Sequence, residues 1–125
     1  MSVPTQARAA AYQQSSILTA PPAQLVVMLY DGARRFLFQA SAALREGNHQ
    51  VAHLRLRRAE DILSELLNTL DHDRGGEIAS RLQGIYVFCL SELGRARVEQ
   101  DPDRVDWTQR QLTELRDSWA RIAAA

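Results

Sequence analysis

The chain has 125 residues, 46% of them hydrophobic and 24% charged, and its 15 arginines, with no lysine, balance 15 acids at a formal net charge of zero. This composition fits one soluble domain able to bury roughly two thirds of its unfolded surface. The absence of a charge excess removes the usual electrostatic basis for nucleic-acid or anionic-membrane binding, and the single cysteine, Cys89, permits no internal bridge.

The first residues, MSVPTQARAAAYQQSS, carry no apolar run of signal-peptide length, and no stretch is long enough to span a membrane, so the expectation is a cytoplasmic protein. Residues 1–20 show no sustained helical period. Tyr12, Ile17 and Leu18 are apolar and need cover, which predicts a segment docked on the folded domain that occupies residues 21–125.

From Pro22 to about Arg45 the spacing of Leu25, Met28, Leu29, Phe36, Leu37, Ala40 and Leu44 predicts a first helix. Gly47 suits the left-handed position after its end, and Asn48 suits the cap of the next helix. That second helix runs to about Leu70 on a stripe of Ala52, Leu56, Ala59, Ile62, Leu63, Leu66 and Leu70, with Arg57 and Asp61 as a surface pair. A turn at Asp71–Gly76 then predicts a third helix from about Glu77 to Gln100, striped by Ile78, Leu82, Ile85, Cys89, Leu93 and Ala96. Its interior glycines, Gly84 and Gly94, predict close helix contact. Asp101 before Pro102 is a start signal for a fourth helix with a seam of Val105, Thr108, Leu112, Leu115, Trp119 and Ile122. Four helices of roughly 30 to 36 Å joined by short loops define an all-α, antiparallel up-down four-helix bundle with an N-terminal docking segment.

Catalytic and metal chemistry find little support. A di-metal bundle needs two Glu-x-x-His motifs, and the one match, Glu46 to His49, straddles a turn. His49 and His53 could share a zinc ion only with a third ligand such as Glu46, and a solvated helical turn is the better reading. Cys89 lies in an apolar stripe with no activating signature and reads as inert. Glu60, Asp61 and Glu65 neutralise Arg55, Arg57 and Arg58, which together read as a solvated helix face. No enzyme, cofactor or metal site is expected.

What stays unexplained is surplus apolar surface: Val26, Val27, Tyr30 and Phe38 on the first helix, Val87, Phe88 and Leu90 on the third, and Trp107 on the fourth. Periodicity leaves two readings open. One is a groove for an amphipathic helix; the other is an oligomer interface or ordinary core filling.

The order of the motifs carries further information. Ala11-Tyr12-Gln13-Gln14-Ser15-Ser16, Thr19-Ala20-Pro21-Pro22, Leu25 to Gly32 (LVVMLYDG), Ala59-Glu60-Asp61-Ile62, Gly75 to Ala79, Tyr86 and Leu115 to Trp119 (LRDSW) together closely resemble the FliS family of flagellin-specific export chaperones. The resemblance spans nearly the whole chain. It implies a cytoplasmic bundle that binds the C-terminal helical segment of flagellin, prevents premature polymerisation, and holds the client competent for the flagellar type III export gate. It also implies that the N-terminal segment occupies part of the client groove when flagellin is absent. Two positions depart from the family pattern: Ala9 stands where many members have a tyrosine, and Pro21 where they have a serine cap. The expected partner-binding residues are Tyr12, Ile17, Leu18, Val27, Tyr30, Phe38 and Tyr86, in a monomer or weak homodimer. The alternative is a self-associating structural bundle with no client. Asp31 and Arg116 are expected as a helix-surface charge and a helix C-terminal cation, with charge pairing across the bundle as the alternative.

Overall fold

The computed structural model describes residues 22–124. They form four helices: α1 (Pro22–Arg45), α2 (His49–Asn68), α3 (His72–Glu99) and α4 (Pro102–Ala124). Links of two or three residues make sequence neighbours antiparallel. Packing runs round the bundle, α1 on α2, α2 on α3, α3 on α4 and α4 on α1, with no close backbone approach across either diagonal. The all-α four-helix architecture expected from the apolar period is thus the observed one.

Local chemistry sets the helix ends. Gly47 adopts φ 75°, which lets its N–H donate to the Leu44 carbonyl at 3.1 Å while Asn48 N–H reaches the Ala43 carbonyl at 2.8 Å. This double bond pattern closes α1 and turns the chain. Asn48 then accepts from Val51 N–H at 3.2 Å and opens α2. Asp101 does the same for α4, accepting from Asp103 N–H at 3.0 Å with Pro102 in the first turn.

The start of α3 differs from the expected loop. Asp71 accepts from Arg74 N–H at 3.0 Å and caps a helical turn over His72–Gly75. Gly76, at φ 50° and ψ −120°, breaks the turn before the main run begins at Glu77. Only glycine takes such a backbone easily.

Helix α3 ends at Glu99, because Gln100 sits in the left-handed region at φ 53° and Asp101 N–H reaches back to the Ala96 carbonyl at 3.0 Å. A side chain is strained there. Gln100→Gly is therefore expected to stabilise the bundle by about 0.5–1 kcal/mol, the relief being partly offset by the freer unfolded chain. Urea denaturation of the two proteins checks it, and a lower midpoint for the variant would contradict it.

Alanines let α1 and α2 approach closely: Ala33, Ala40, Ala43, Ala52 and Ala59 are all buried. At Gly32 an added Cβ would lie 3.3 Å from Ile62 Cδ1. Around this seam pack Leu37, Leu56, Leu63, Leu93, Val105 and Leu112.

Several side chains sit elsewhere than the spacing predicts. Met28, expected in the core, is half exposed, and Ile78, Ile85 and Ile122 also face outward. On α3 Cys89, Leu93 and Ala96 are buried as expected, joined by Ala79 and Tyr86 in place of Ile78 and Ile85. Gly84 and Gly94 mark no close helix contact, since a Cβ at either would meet no atom within 4 Å. Arg57 and Asp61 are both exposed and form no ion pair. Asp31 and Arg116 do pair: Arg116 Nε lies 3.0 Å from Asp31 Oδ1, and Arg34 Nη1 joins the same oxygen at 2.8 Å, tying α4 to α1.

Candidate functional site

Helix α3 spreads its apolar residues over more than the core face. Placing Tyr86, Cys89 and Leu93 inward turns Ile78, Arg81, Ile85, Phe88 and Glu92 toward the α4 side, at alternating steps of three and four. On α4 the inward placing of Val105, Thr108 and Leu112 likewise turns Trp107 and Gln111 toward α3.

The two flanks do not close on each other. Between them lies an open cleft of about 510 Å³ lined by Arg81, Gly84, Ile85, Phe88 and Cys89 of α3 and by Trp107 and Gln111 of α4. A second hollow of about 440 Å³ continues it past Phe88 and Trp107 toward Asp101, Asp103, Arg104 and Arg110. Phe88 and Trp107 separate the two. Their rings meet edge to face with centroids 5.4 Å apart at 85°, an arrangement that favours the pair beyond its buried area. Even so, Phe88 remains 52% exposed.

Charges fix one end of the cleft. Arg104 lies 2.9 Å from Glu92 and 3.1 Å from Glu99, joining the two helices where they approach their connection. The Glu92 hydrogen bond raises the Arg104 pKa. On the other side of α3, Arg97 and Glu60 form a two-bond pair to α2. Cys89 lies at the floor, and burial followed by the Glu92 charge pushes its thiol up to about 11. It is a protonated thiol at neutral pH and a poor nucleophile.

The residues expected at the site are distributed unevenly. Tyr12, Ile17 and Leu18 lie outside the described residues. Val27 is half-buried on α1, and Phe38, also on α1, is 71% exposed; neither lines the cleft. Tyr30 and Tyr86 are brought together, but in the core: their hydroxyls hydrogen-bond to each other across the α1–α3 diagonal. Burial raises both phenol pKa values, so both are neutral at ordinary pH. His49 and His53 gather no third donor among the described residues.

Phe88 and Trp107 belong to the surplus apolar residues for which a groove was one of two open readings, but not to the expected partner-binding residues, and Ile85 was expected in the core. The signal that finds the cleft is the 78, 81, 85, 88 series, a second helical stripe adjoining the first.

An open, aromatic-lined apolar cleft on the flank of a helical bundle has the concave, mostly apolar form of a binding site. Residues 4–125 match the family described as Flagellar protein FliS, and the chain belongs to that family. It is 32% identical over 112 residues to the flagellar secretion chaperone FliS of Campylobacter jejuni, covering 90% of this chain and 88% of that one. The Vibrio cholerae protein of the same name is 33% identical, over 86% of this chain and 79% of its own. The Salmonella typhimurium one is 30% identical, over 88% and 82%.

Proposed function

We propose that this protein is a cytoplasmic, non-enzymatic export chaperone that binds the C-terminal helical segment of flagellin, blocks its premature polymerisation and presents it to the flagellar export gate. The observation that carries the reading is the open apolar cleft between α3 and α4, with Phe88 and Trp107 across its middle, in a member of the FliS family. A flagellin tail destined for helical packing in the filament exposes an apolar stripe beforehand, and an uncovered stripe aggregates. A cleft walled by two helices can cover it. Ordering the tail costs roughly 2–5 kcal/mol, which favours an extended contact over a single pocket. Val27 and Phe38 on α1 would extend the contact round the bundle, while Tyr12, Ile17 and Leu18 would cover the cleft in the free protein.

Calorimetric titration with a peptide of the flagellin C-terminal segment tests this. One peptide is expected per chaperone, with a negative heat-capacity change from buried apolar surface. Phe88→Asp puts a charge in the cleft at a half-exposed position the fold tolerates, and should weaken binding by about thirtyfold or more. Arg57→Glu, on an exposed part of α2 away from the cleft, should change it little. Equal affinities for both variants would remove the cleft from the binding site. No binding by the unaltered protein at high micromolar peptide would remove flagellin as the client.

A further inference from the structure

The α3 wall of the cleft is made by Arg81, Gly84, Ile85 and Phe88. Their spacing, i, i+3, i+4 and i+7, is that of four residues outlining a hole on a helix, into which a facing helix inserts one knob side chain. Here no described side chain fills it, because a Cβ built on Gly84 meets no atom within 4 Å. Glycine is also the least favourable residue for a helix interior after proline, and within the bundle no neighbour requires this one to be small.

Charge along the cleft is lopsided. Its acids are committed to arginines of the bundle itself: Glu92 and Asp101 to Arg104, Asp103 to Arg45. The uncommitted groups are cations. Arg110 has no carboxylate partner among the described residues, and Arg81 has only Glu77 of its own helix, a pair at least 75% exposed on both sides and so weakly held.

From these two observations we propose that the hole at Gly84 receives one large aliphatic or aromatic side chain of the client's helix, which lies lengthwise between α3 and α4. Acidic residues one turn from that side chain face Arg81 and Arg110. The inference rests on the flagellin-binding reading and adds the register of the contact and the chemistry of the inserted group. Gly84 is then a specificity-determining position: its missing side chain is the space the client fills.

Two substitutions test it without disturbing the core. Gly84→Ala and Gly84→Leu project into open space and remove a helix-weakening residue, so both should fold, the alanine variant melting roughly 2–4 °C higher. With a flagellin C-terminal peptide of about 40 residues as probe, a length sufficient for an extended helical contact, Gly84→Leu should weaken binding about tenfold or more. Gly84→Ala should weaken it by a smaller factor despite the gain in stability. If Gly84→Leu loses helical content, the alanine variant decides, and an affinity equal to the unaltered protein's overturns the proposal. Peptide affinity unchanged in both variants overturns it too, while leaving the chaperone reading intact. Failure of the unaltered protein to bind removes that reading and this inference with it. Tighter peptide binding by Gly84→Leu would give the hole to residues 1–21 of the chain itself, and loss of a dimer in light scattering would give it to a second copy; either result overturns the assignment to the client.

Discussion

Tyr30→Asp is expected to destabilise the bundle by more than about 4 kcal/mol, enough to unfold a domain of ordinary stability near room temperature. Three losses combine. Tyr30 is fully buried, so the aspartate carboxylate would enter the core, where an ionised group is costly. The ring leaves a cavity among leucines, and the hydroxyl of Tyr86 loses the Tyr30 oxygen as its partner. Tyr30→Phe keeps the ring and isolates the last effect, so about 1–2 kcal/mol is expected from it. Removing both hydroxyls, in Tyr30→Phe with Tyr86→Phe, should cost less than the two single changes added together, since no unsatisfied group then remains. Thermal and urea unfolding followed by circular dichroism measure the four variants, Tyr86→Phe alone included, against the unaltered protein. An aspartate variant that melts within a few degrees of the unaltered chain would mean that Tyr30 is not in the core. Client-binding data on Tyr30 variants consequently report packing unless helical content is measured alongside.

Raising the pH should unfold the protein earlier than its arginine-stabilised surface suggests. Burial raises the pKa of Cys89 from 9.0 to about 11, and burial also raises Tyr30 and Tyr86 above their ordinary 10.0. For an acid whose folded pKa is raised, the unfolded chain releases its proton first. Stability is then complete below about pH 9 and falls as pH climbs through 9 toward 11, with the tyrosines adding to the fall above 10. Two pH units for the thiol alone correspond to about 3 kcal/mol. Urea midpoints between pH 7 and 11 read this directly. Cys89→Ala should flatten the part of the curve that begins below pH 10, and a midpoint of the unaltered protein that stays constant to pH 10.5 would contradict the assignment.

The features that could be read from the sequence were those decided within one turn of chain. Gly47 and Asn48 end one helix and open the next through atoms three to five residues away, and Asp101 with Pro102 opens α4 in the same manner. The α2 stripe was equally readable, because α2 has one apolar face and solvent on the others.

Helix α3 was harder for a physical reason. It has two adjoining apolar stripes, and a period of 3.6 cannot say which of two neighbouring stripes faces the core. With Ile78 and Ile85 expected inward in place of Ala79 and Tyr86, the N-terminal half of the face was shifted by one position, which concealed the cleft, while Cys89, Leu93 and Ala96 lie where expected. Tyr30 was expected at the partner-binding surface for a similar reason: the group that satisfies its hydroxyl inside the core, Tyr86, is 56 residues away. Asp31 and Arg116, 85 residues apart, were paired by the fold in the same way. Phe88 and Trp107 were visible as unexplained apolar residues, but only the helix packing shows that they face each other.

The ion pairs that join α3 to other helices lie, among the described residues, toward one end. Arg97 to Glu60 and Arg104 to Glu92 and Glu99 fasten its C-terminal half to α2 and α4, whereas ahead of Phe88 its only side-chain hydrogen bond to another helix, among the described residues, is Tyr86 to Tyr30. Gly76 interrupts the backbone near its start, and Ile78 and Val87 leave much of their surface in water. A helix fastened in this way behaves as a cantilever. Displacing its free half strains the tyrosine bond and a thin layer of side chains, while the alanine-packed seam of α1 and α2 is untouched, so that half can open in a local step well below the free energy of global unfolding. The part of the cleft wall that runs from Arg81 to Phe88 can therefore shift without melting the bundle.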